Sequence, residues 1–436
     1  MKATVGLVLL SGLLCGPVGA EGLTPLQALG KSLFFDGNLS GNGVQSCSFC
    51  HDPGMGFSSP HGPANASGAV VEGAVPGRFG NRKPPSAAYA SQSPVLHHIL
   101  DDGDVTLVGG AFLDGRATGS KLGNPTADQA QGPFLNGLEM ALPHAACVVQ
   151  RVMAPGGTTD YPAMLTAIWG ADLPKVVFPA DLSEKCKDPD ARAAIEAALG
   201  EGPNEAAIED MFGKIAYAIS AYEDSSEVNR FSSRYDRWVA GKGDLTKDEL
   251  AGLALFKDEA KGNCAACHVL SPSTRGEPAV FTDWTFDNLG VPRNRGNPFY
   301  AETGANPAGK AYVDPGLGGY LATDPVYASY ADQNLGRQQV PTLRNLTKGV
   351  TPETPKAYMH NGYFKTLEGV VHFYNTRDVL PRCKDDWATE AEALAQNCWP
   401  APEIEKTMNK DELGNLKLTA DEERQIVAFL KTLDDE

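Results

Sequence analysis

The 436-residue sequence is short of positive charge, of strand-like alternation and of long apolar runs, and each shortage excludes something. Lys and Arg number 37 against 54 Asp and Glu, a formal net charge of −17. Nucleic acid and anionic lipid both need a basic face, so neither is an expected partner. A basic protein or a small neutral substrate stays open. No apolar run reaches the roughly 20 residues that a membrane-spanning helix takes. The run from Val5 to Leu14 follows Lys2 and leads to Val18-Gly19-Ala20, the layout of a secretory leader cut before Glu21. Residues 1–20 are therefore expected to be removed and the mature chain exported to the periplasm. Leu14 stands where a lipoprotein signal would place a small residue, so Cys15 leaves with the leader.

Nine cysteines are present, and they sort by position. Cys15 belongs to the leader. Four lie in Cys47-Ser48-Phe49-Cys50-His51 and Cys264-Ala265-Ala266-Cys267-His268. Cys147, Cys186, Cys383 and Cys398 remain, an even number in an oxidising compartment, which predicts two disulfides. Three pairings are open. Chain proximity favours Cys147–Cys186 and Cys383–Cys398, each closing a loop without strong secondary-structure signals.

The two Cys-x-x-Cys-His motifs carry the chemistry. Two thiols at this spacing reach the two vinyl groups of one haem, and the adjacent imidazole reaches its iron. The motif is also compatible with a disulfide or half a zinc site, but two copies ending in His in an exported chain predict two covalently bound haem c groups. Cys47, Cys50, Cys264 and Cys267 are the attachment residues in this reading, and His51 and His268 the proximal iron ligands.

The motifs sit in similar settings. Thr24 and Pro25 open a helix whose apolar face is Leu26, Leu29, Leu33 and Phe34, and Gly37, Gly41 and Gly43 end it before Cys47. Thr246-Lys247-Asp248-Glu249 is a capping box opening a second helix, with Leu250, Leu253 and Phe256 on its apolar face and Gly262 just before Cys264. A second capping box, Thr419-Ala420-Asp421-Glu422, opens a last helix striped with Ile426, Val427, Leu430 and Leu433. Between them the chain is rich in Gly and Pro, notably over 54–85 and 291–319. The reading is a mainly α fold of two cytochrome c-like haem domains with long loops, residues 21–240 and 241–436.

Further segments resemble a known family. They are 29–36 (LGKSLFFD), 109–116 (GGAFLDGR), 129–134 (QAQGPF), Glu139-Met140, 287–294 (DNLGVPRN), 341–345 (PTLRN), and the stretch from Tyr358-Met359-His360-Asn361-Gly362 to Val370-Val371-His372-Phe373-Tyr374-Asn375. In this order, over almost the whole mature chain, they resemble the bacterial dihaem cytochrome c peroxidase and MauG superfamily.

That resemblance implies a reaction and a set of residues. The family's distal ligand to the second haem falls on Tyr374, where peroxidases have Met and MauG-like proteins have Tyr. A phenolate stabilises oxidised iron, whereas a thioether favours ferrous iron. The competing reading makes Tyr374 a core residue on the Leu367–Val370–Val371–Tyr374 face of a helix. Over the first haem the family places Gln129 and Glu139, with Pro133 nearby. Glu139 is the expected acid/base in peroxide cleavage and Gln129 the residue that orients peroxide. His61 is the nearest counterpart of the removable ligand of resting peroxidases, but the first haem is expected to be open.

The sequence departs from the family pattern in three places. Leu113 replaces the tryptophan between the haems. No tryptophan lies just before Cys264. The residues that hold a calcium ion between the haems are not clearly kept: Lys83 occupies the region of the family's Asn, Lys356-Ala357 replaces its apolar-Pro step, and Asn81 is left as the calcium candidate.

The implied function is that of a MauG-like enzyme. It uses hydrogen peroxide to reach a doubly oxidised state shared by both haems, then oxidises aromatic side chains, tryptophan first, of a partner protein. The 118–128 insertion and the 356–360 run resemble methanobactin-associated members, which convert a tryptophan of a copper-binding partner to kynurenine. Two alternatives remain. One is a dihaem cytochrome c peroxidase fed by a small cytochrome, against which Tyr374 speaks. The other is a non-catalytic dihaem electron carrier, which has no use for Gln129 and Glu139.

Overall fold

The computed structural model describes residues 22–436 apart from 61, 102, 103 and 156. The expected leader over 1–20 and His61 lie outside the described residues. Within them the chain is mainly helical with little sheet. No helix among the described residues is long and apolar enough to cross a membrane.

The predicted helix starts are present with their caps. Thr24 accepts from the backbone of Gln27 and Gln27 returns the bond, opening helix Pro25–Phe34. Thr246 and Glu249 do the same for Lys247–Lys257, and Thr419 and Glu422 for Ala420–Leu430. These boxes satisfy amide groups that a helix start leaves without partners.

Each helix that precedes a Cys-x-x-Cys-His motif packs on a later helix through a glycine. Gly30 lies so close to helix Pro203–Glu223 that an added Cβ would come 1.7 Å from the carbonyl oxygen of Ala218. Gly252 meets helix Ala420–Leu430 in the same way, with 1.9 Å to the carbonyl oxygen of Gln425. Only glycine permits such backbone-to-backbone approach. Phe34 and Phe256, each four residues after its glycine, are buried beside these crossings.

Two large apolar clusters result. Leu29, Leu33 and Phe34 join Phe212, Ile215 and Ile219 in one. Leu253 and Phe256 join Ile426, Val427 and Phe429 in the other. Burying one such side chain stabilises by about 1.5–3 kcal/mol. Tyr235, on helix Arg234–Val239, belongs to the second cluster and packs on Phe281 and Phe429. The halves also interlock, since Tyr89 hydrogen-bonds Asp435 and stacks under Arg344.

The long loops are tied down by buried polar groups rather than by sheets. Asn294 donates to the carbonyls of Asn361 and Gly362, and Asn361 donates to that of Pro292. Arg344, fully buried, pairs with Asp236 and donates to the carbonyl of Ala279. One hairpin, His97–Asp101 with Asp104–Val108, has no forerunner in the alternation of the sequence.

Both disulfides form in the pairing that chain proximity favours, Cys147–Cys186 and Cys383–Cys398. The closed loops are not without structure, however. Cys147 lies in helix Ala145–Met153, and helix Tyr161–Trp169 follows inside the same loop. The shorter loop contains helix Glu390–Gln396, opened by a capping box of Thr389 and Glu392. That Thr-x-x-Glu signal is plain in the sequence.

Candidate functional site

A cavity lies at each Cys-x-x-Cys-His motif. The first encloses about 1180 Å³ not filled by protein and is lined by Cys47, Cys50 and His51. The second encloses about 1470 Å³ and is lined by Cys264, Cys267 and His268. All four thiols are unpaired. Burial holds them protonated, with Cys50, Cys264 and Cys267 pushed up to about 12 and Cys47 higher still.

The two imidazoles are held alike. His51 Nδ1 faces the carbonyl oxygen of Phe57 at 3.3 Å, and His268 Nδ1 that of Phe281 at 2.8 Å. A carbonyl can only accept, so Nδ1 carries the proton and the lone pair of Nε2 is left for a metal. Burial keeps both rings neutral, with His51 depressed to about 4 and His268 also lowered. Free thiols beside a neutral, oriented imidazole fit a haem in each cavity.

The walls of the two cavities differ. Gln129, Pro133 and Glu139 all line the first. Gln129 and Pro133 are one turn apart on helix Pro125–Leu135 and share a face. Pro133 has no N–H, so the Gln129 carbonyl loses its usual helical donor. Glu139 follows in a tight turn, its N–H on the carbonyl of Asn136 at 2.9 Å and its carbonyl accepting from Ala74 at 2.6 Å. Burial raises its carboxyl above the ordinary carboxylate range, against the opposing pull of Arg116 and a hydrogen bond from Asn136. Arg116 lines the same cavity, with its guanidinium 3.6 Å from the centre of the Phe112 ring and 2.8 Å from Asp114.

Tyr374 lines the second cavity from helix Leu367–Thr376. Burial and the neighbouring Cys267 and Cys264 raise its phenol above the ordinary range, and Arg377 opposes them. The phenol oxygen has no hydrogen-bond partner among the described residues. A tyrosine serving only as packing would turn its hydroxyl to a partner or to water. His360, in the same wall, is tied to Glu403 at 2.7 Å.

Four residues line both cavities: Lys83, Pro84, Pro85 and Leu113. Leu113 puts an aliphatic side chain where the resemblance expects tryptophan. The Lys83 ammonium donates to the carbonyls of Ser58 at 2.7 Å and Pro84 at 2.8 Å. Asn81, the calcium candidate, donates its amide to the Tyr312 hydroxyl at 2.8 Å and to Asp314. Asp314 and Asp114 are both engaged by Arg82. Among the described residues no group of three or more His, Cys, Asp or Glu side chains is placed to hold a metal ion. Asn81, Asp114 and Asp314 are thus engaged by other side chains rather than gathered around a cation site.

Sequence reasoning gave no role to Arg116, or to Glu223 in the first cavity. Arg116 is legible in the sequence only as the last residue of the 109–116 segment. Glu223 had a signal of its own. It continues the buried row Ile208, Phe212, Ile215 and Ile219 along one helix, where a charged residue is out of place.

Two cavities with paired thiols and an oriented imidazole, in a mainly helical chain, define a class of protein built around two haems. The chain belongs to the dihaem cytochrome c peroxidase and MauG family: the family model described as di-haem cytochrome c peroxidase matches residues 25–244. The methylamine utilization protein MauG of Paracoccus denitrificans (strain Pd 1222) is 32% identical over 94% of this chain and 88% of its own. The solved structure of the diheme peroxidase BthA from Burkholderia thailandensis E264 has a TM-score of 0.69 at 30% identity, covering 95% of this chain and 87% of that one. A MauG-like protein associated with microbial copper homeostasis shares the fold, with a TM-score of 0.56 at 24% identity over 95% and 91% of the two chains. The protein is thus a dihaem oxidoreductase of peroxidase type.

Proposed function

We propose that this is a MauG-like enzyme that uses hydrogen peroxide to oxidise a tryptophan side chain of an exported partner protein. The observation that carries the reading is what each cavity places beside its motif: the first has Glu139 with Gln129, and the second has the Tyr374 phenol, which has no hydrogen-bond partner among the described residues. Cys47, Cys50 and His51 would hold one haem and Cys264, Cys267 and His268 the other, and the pair would supply the oxidising chemistry.

The chain's own residues divide the remaining tasks. Gln129 orients peroxide by hydrogen bonding. Glu139 takes a proton from one peroxide oxygen and returns it to the leaving one, which needs a carboxyl shielded from water. Pro133 frees the carbonyl of Gln129 and fixes the turn that presents Glu139. Tyr374 is the residue that would hold the second haem's iron, through its phenolate. The chain is organised as two cytochrome c-like domains, 21–240 and 241–436, after export to the periplasm and loss of residues 1–20.

A route to the partner runs through aromatic rings of the second core. The Phe281 carbonyl accepts from the His268 imidazole, and the Phe281 ring lies 5.3 Å from Tyr235. Tyr235 lies 5.8 Å from Trp238, which is partly exposed beside the exposed Val239. Trp238 thus takes the place of the tryptophan missing before Cys264.

The test is competition between two reductants. Peroxide is added to the ferric dihaem protein with a tryptophan-bearing exported partner, then with a reduced small c-type cytochrome. Mass gain at the partner's tryptophan, slowed in Trp238→Phe, is expected. Rapid cytochrome oxidation with untouched tryptophan would leave a cytochrome c peroxidase, the reading that the family model's description favours.

A further inference from the structure

The two cavities are separated by a wall that contains ammonium groups where a bound cation is expected. Lys83 faces both cavities, and its side chain is clamped by the carbonyls of Ser58 and Pro84. Its own N–H is fixed on the carbonyl of His360 at 2.7 Å. Lys356, 3% exposed, lines the second cavity and donates to the carbonyl of Asn345 at 2.5 Å. Lys83 and Lys356 both line the second cavity, and the charges of Asp434 and Lys83 both bear on Lys356. Neither lysine forms an ion pair with a carboxylate among the described residues. Asp314 and Asp114 are spent on Arg82, and Asp434 accepts from the backbone of Thr347.

Backbone carbonyls gathered around one positive centre are the hard oxygen donors that a calcium ion takes. Here an ammonium on a covalent tether holds them. We propose that Lys83, with Lys356 behind it, takes the place of a metal ion between the two haem cavities, so that the protein works without calcium. The tether holds the ammonium on the carbonyls of Ser58 and Pro84, and the Lys83 backbone N–H adds that of His360, so the protonated group places positive charge beside both cavities. A haem brings two propionate carboxylates, so the loaded cavities would supply balancing charge for ammonium groups that form no ion pair among the described residues. A second cation on the same carbonyls would be repelled, since two unit charges at contact distance oppose each other strongly in a buried setting.

The experiment uses the haem-loaded protein. After exhaustive dialysis against a chelator, elemental analysis should find substoichiometric calcium, and added calcium chloride should change neither the ferric spectrum nor the unfolding midpoint. One retained calcium per chain, or a spectrum that chelation alters and calcium restores, overturns the proposal. The charge is read separately in Lys83→Met. Removing a positive charge near iron stabilises the oxidised form, so both haem midpoint potentials should fall, while Lys83→Arg holds them near wild type. Potentials that stay in place in a folded Lys83→Met protein also overturn it. If Lys83→Met does not fold, the metal analysis of wild type and the unchanged potentials of Lys83→Arg decide. None of these readouts depends on which partner is oxidised, so failure here is distinct from failure of the function proposed above.

Discussion

Arg116 shares the first cavity with Glu139, and its positive charge opposes the rise that burial imposes on the Glu139 carboxyl. The balance matters because an acid/base works best with a pKa near the working pH. Glu139→Gln should slow the reaction with peroxide by roughly 10²–10⁴-fold in stopped-flow measurements. Arg116→Met removes the opposing charge, so the carboxyl rises further and the limb of the pH–rate profile moves to higher pH. Arg116→Lys should leave the limb near its wild-type place. A limb that is the same in all three proteins would show that another group carries the proton.

The Tyr374 phenol is raised by burial, so without iron it stays protonated at neutral pH. Binding ferric iron must displace that proton, as metal ligation does in general. Ferric wild-type protein should therefore show one high-spin and one low-spin haem. Tyr374→His should keep both haems and a low-spin spectrum, yet the oxidising equivalents left after peroxide addition should decay faster. Tyr374→Phe should turn the second haem high-spin. An unchanged spectrum in Tyr374→Phe would return Tyr374 to the role of a packing residue.

Much of this was legible because the informative residues act locally. A capping box is a four-residue pattern, so Thr24, Thr246 and Thr419 announced their helices. The haem motifs place thiols and imidazole by covalent spacing alone. The partners of Gly30 and Gly252 were not legible, since Ala218 and Gln425 lie far along the chain. For the same reason the sequence could name Lys83 and Lys356 as departures from a pattern but could not show that their ammonium groups find carbonyls. Glu139 and Gln129 were reached by resemblance. Nothing in their local spacing distinguishes them from solvated helix residues.

The disulfides differ in the length of chain they close, 39 residues for Cys147–Cys186 and 15 for Cys383–Cys398. Chain entropy then predicts stabilisation of about 4 kcal/mol for the first and about 3 kcal/mol for the second. Denaturant unfolding of the paired Cys→Ala variants should lose stability in that order. Mass mapping of the wild type should find no free thiol at the four positions. The reverse order would mean that strain or residual structure in the unfolded chain outweighs loop length.

Glu223 provides the sharpest pH test. It is 5% exposed, lines the first cavity, and has no hydrogen-bond partner among the described residues. Burial raises its carboxyl from the ordinary 4.5 to about 8. Between those values the folded protein holds a proton that the unfolded chain releases. The contribution is complete below about 4.5 and is lost as pH rises through about 8. Lys83 and Lys356, depressed to about 8 and about 7, act in the opposite sense, because there the unfolded chain binds the extra proton. The total pH dependence therefore mixes both, and only the difference between wild type and Glu223→Gln isolates the carboxyl. With one pKa unit worth about 1.4 kcal/mol, Glu223→Gln should be the more stable protein at pH 8 by about 2–4 kcal/mol. That gain should shrink as the pH is lowered toward 5. A difference that stays constant from pH 5 to pH 8 would mean that Glu223 is already ionised in the folded protein, with its charge compensated inside the haem-loaded cavity.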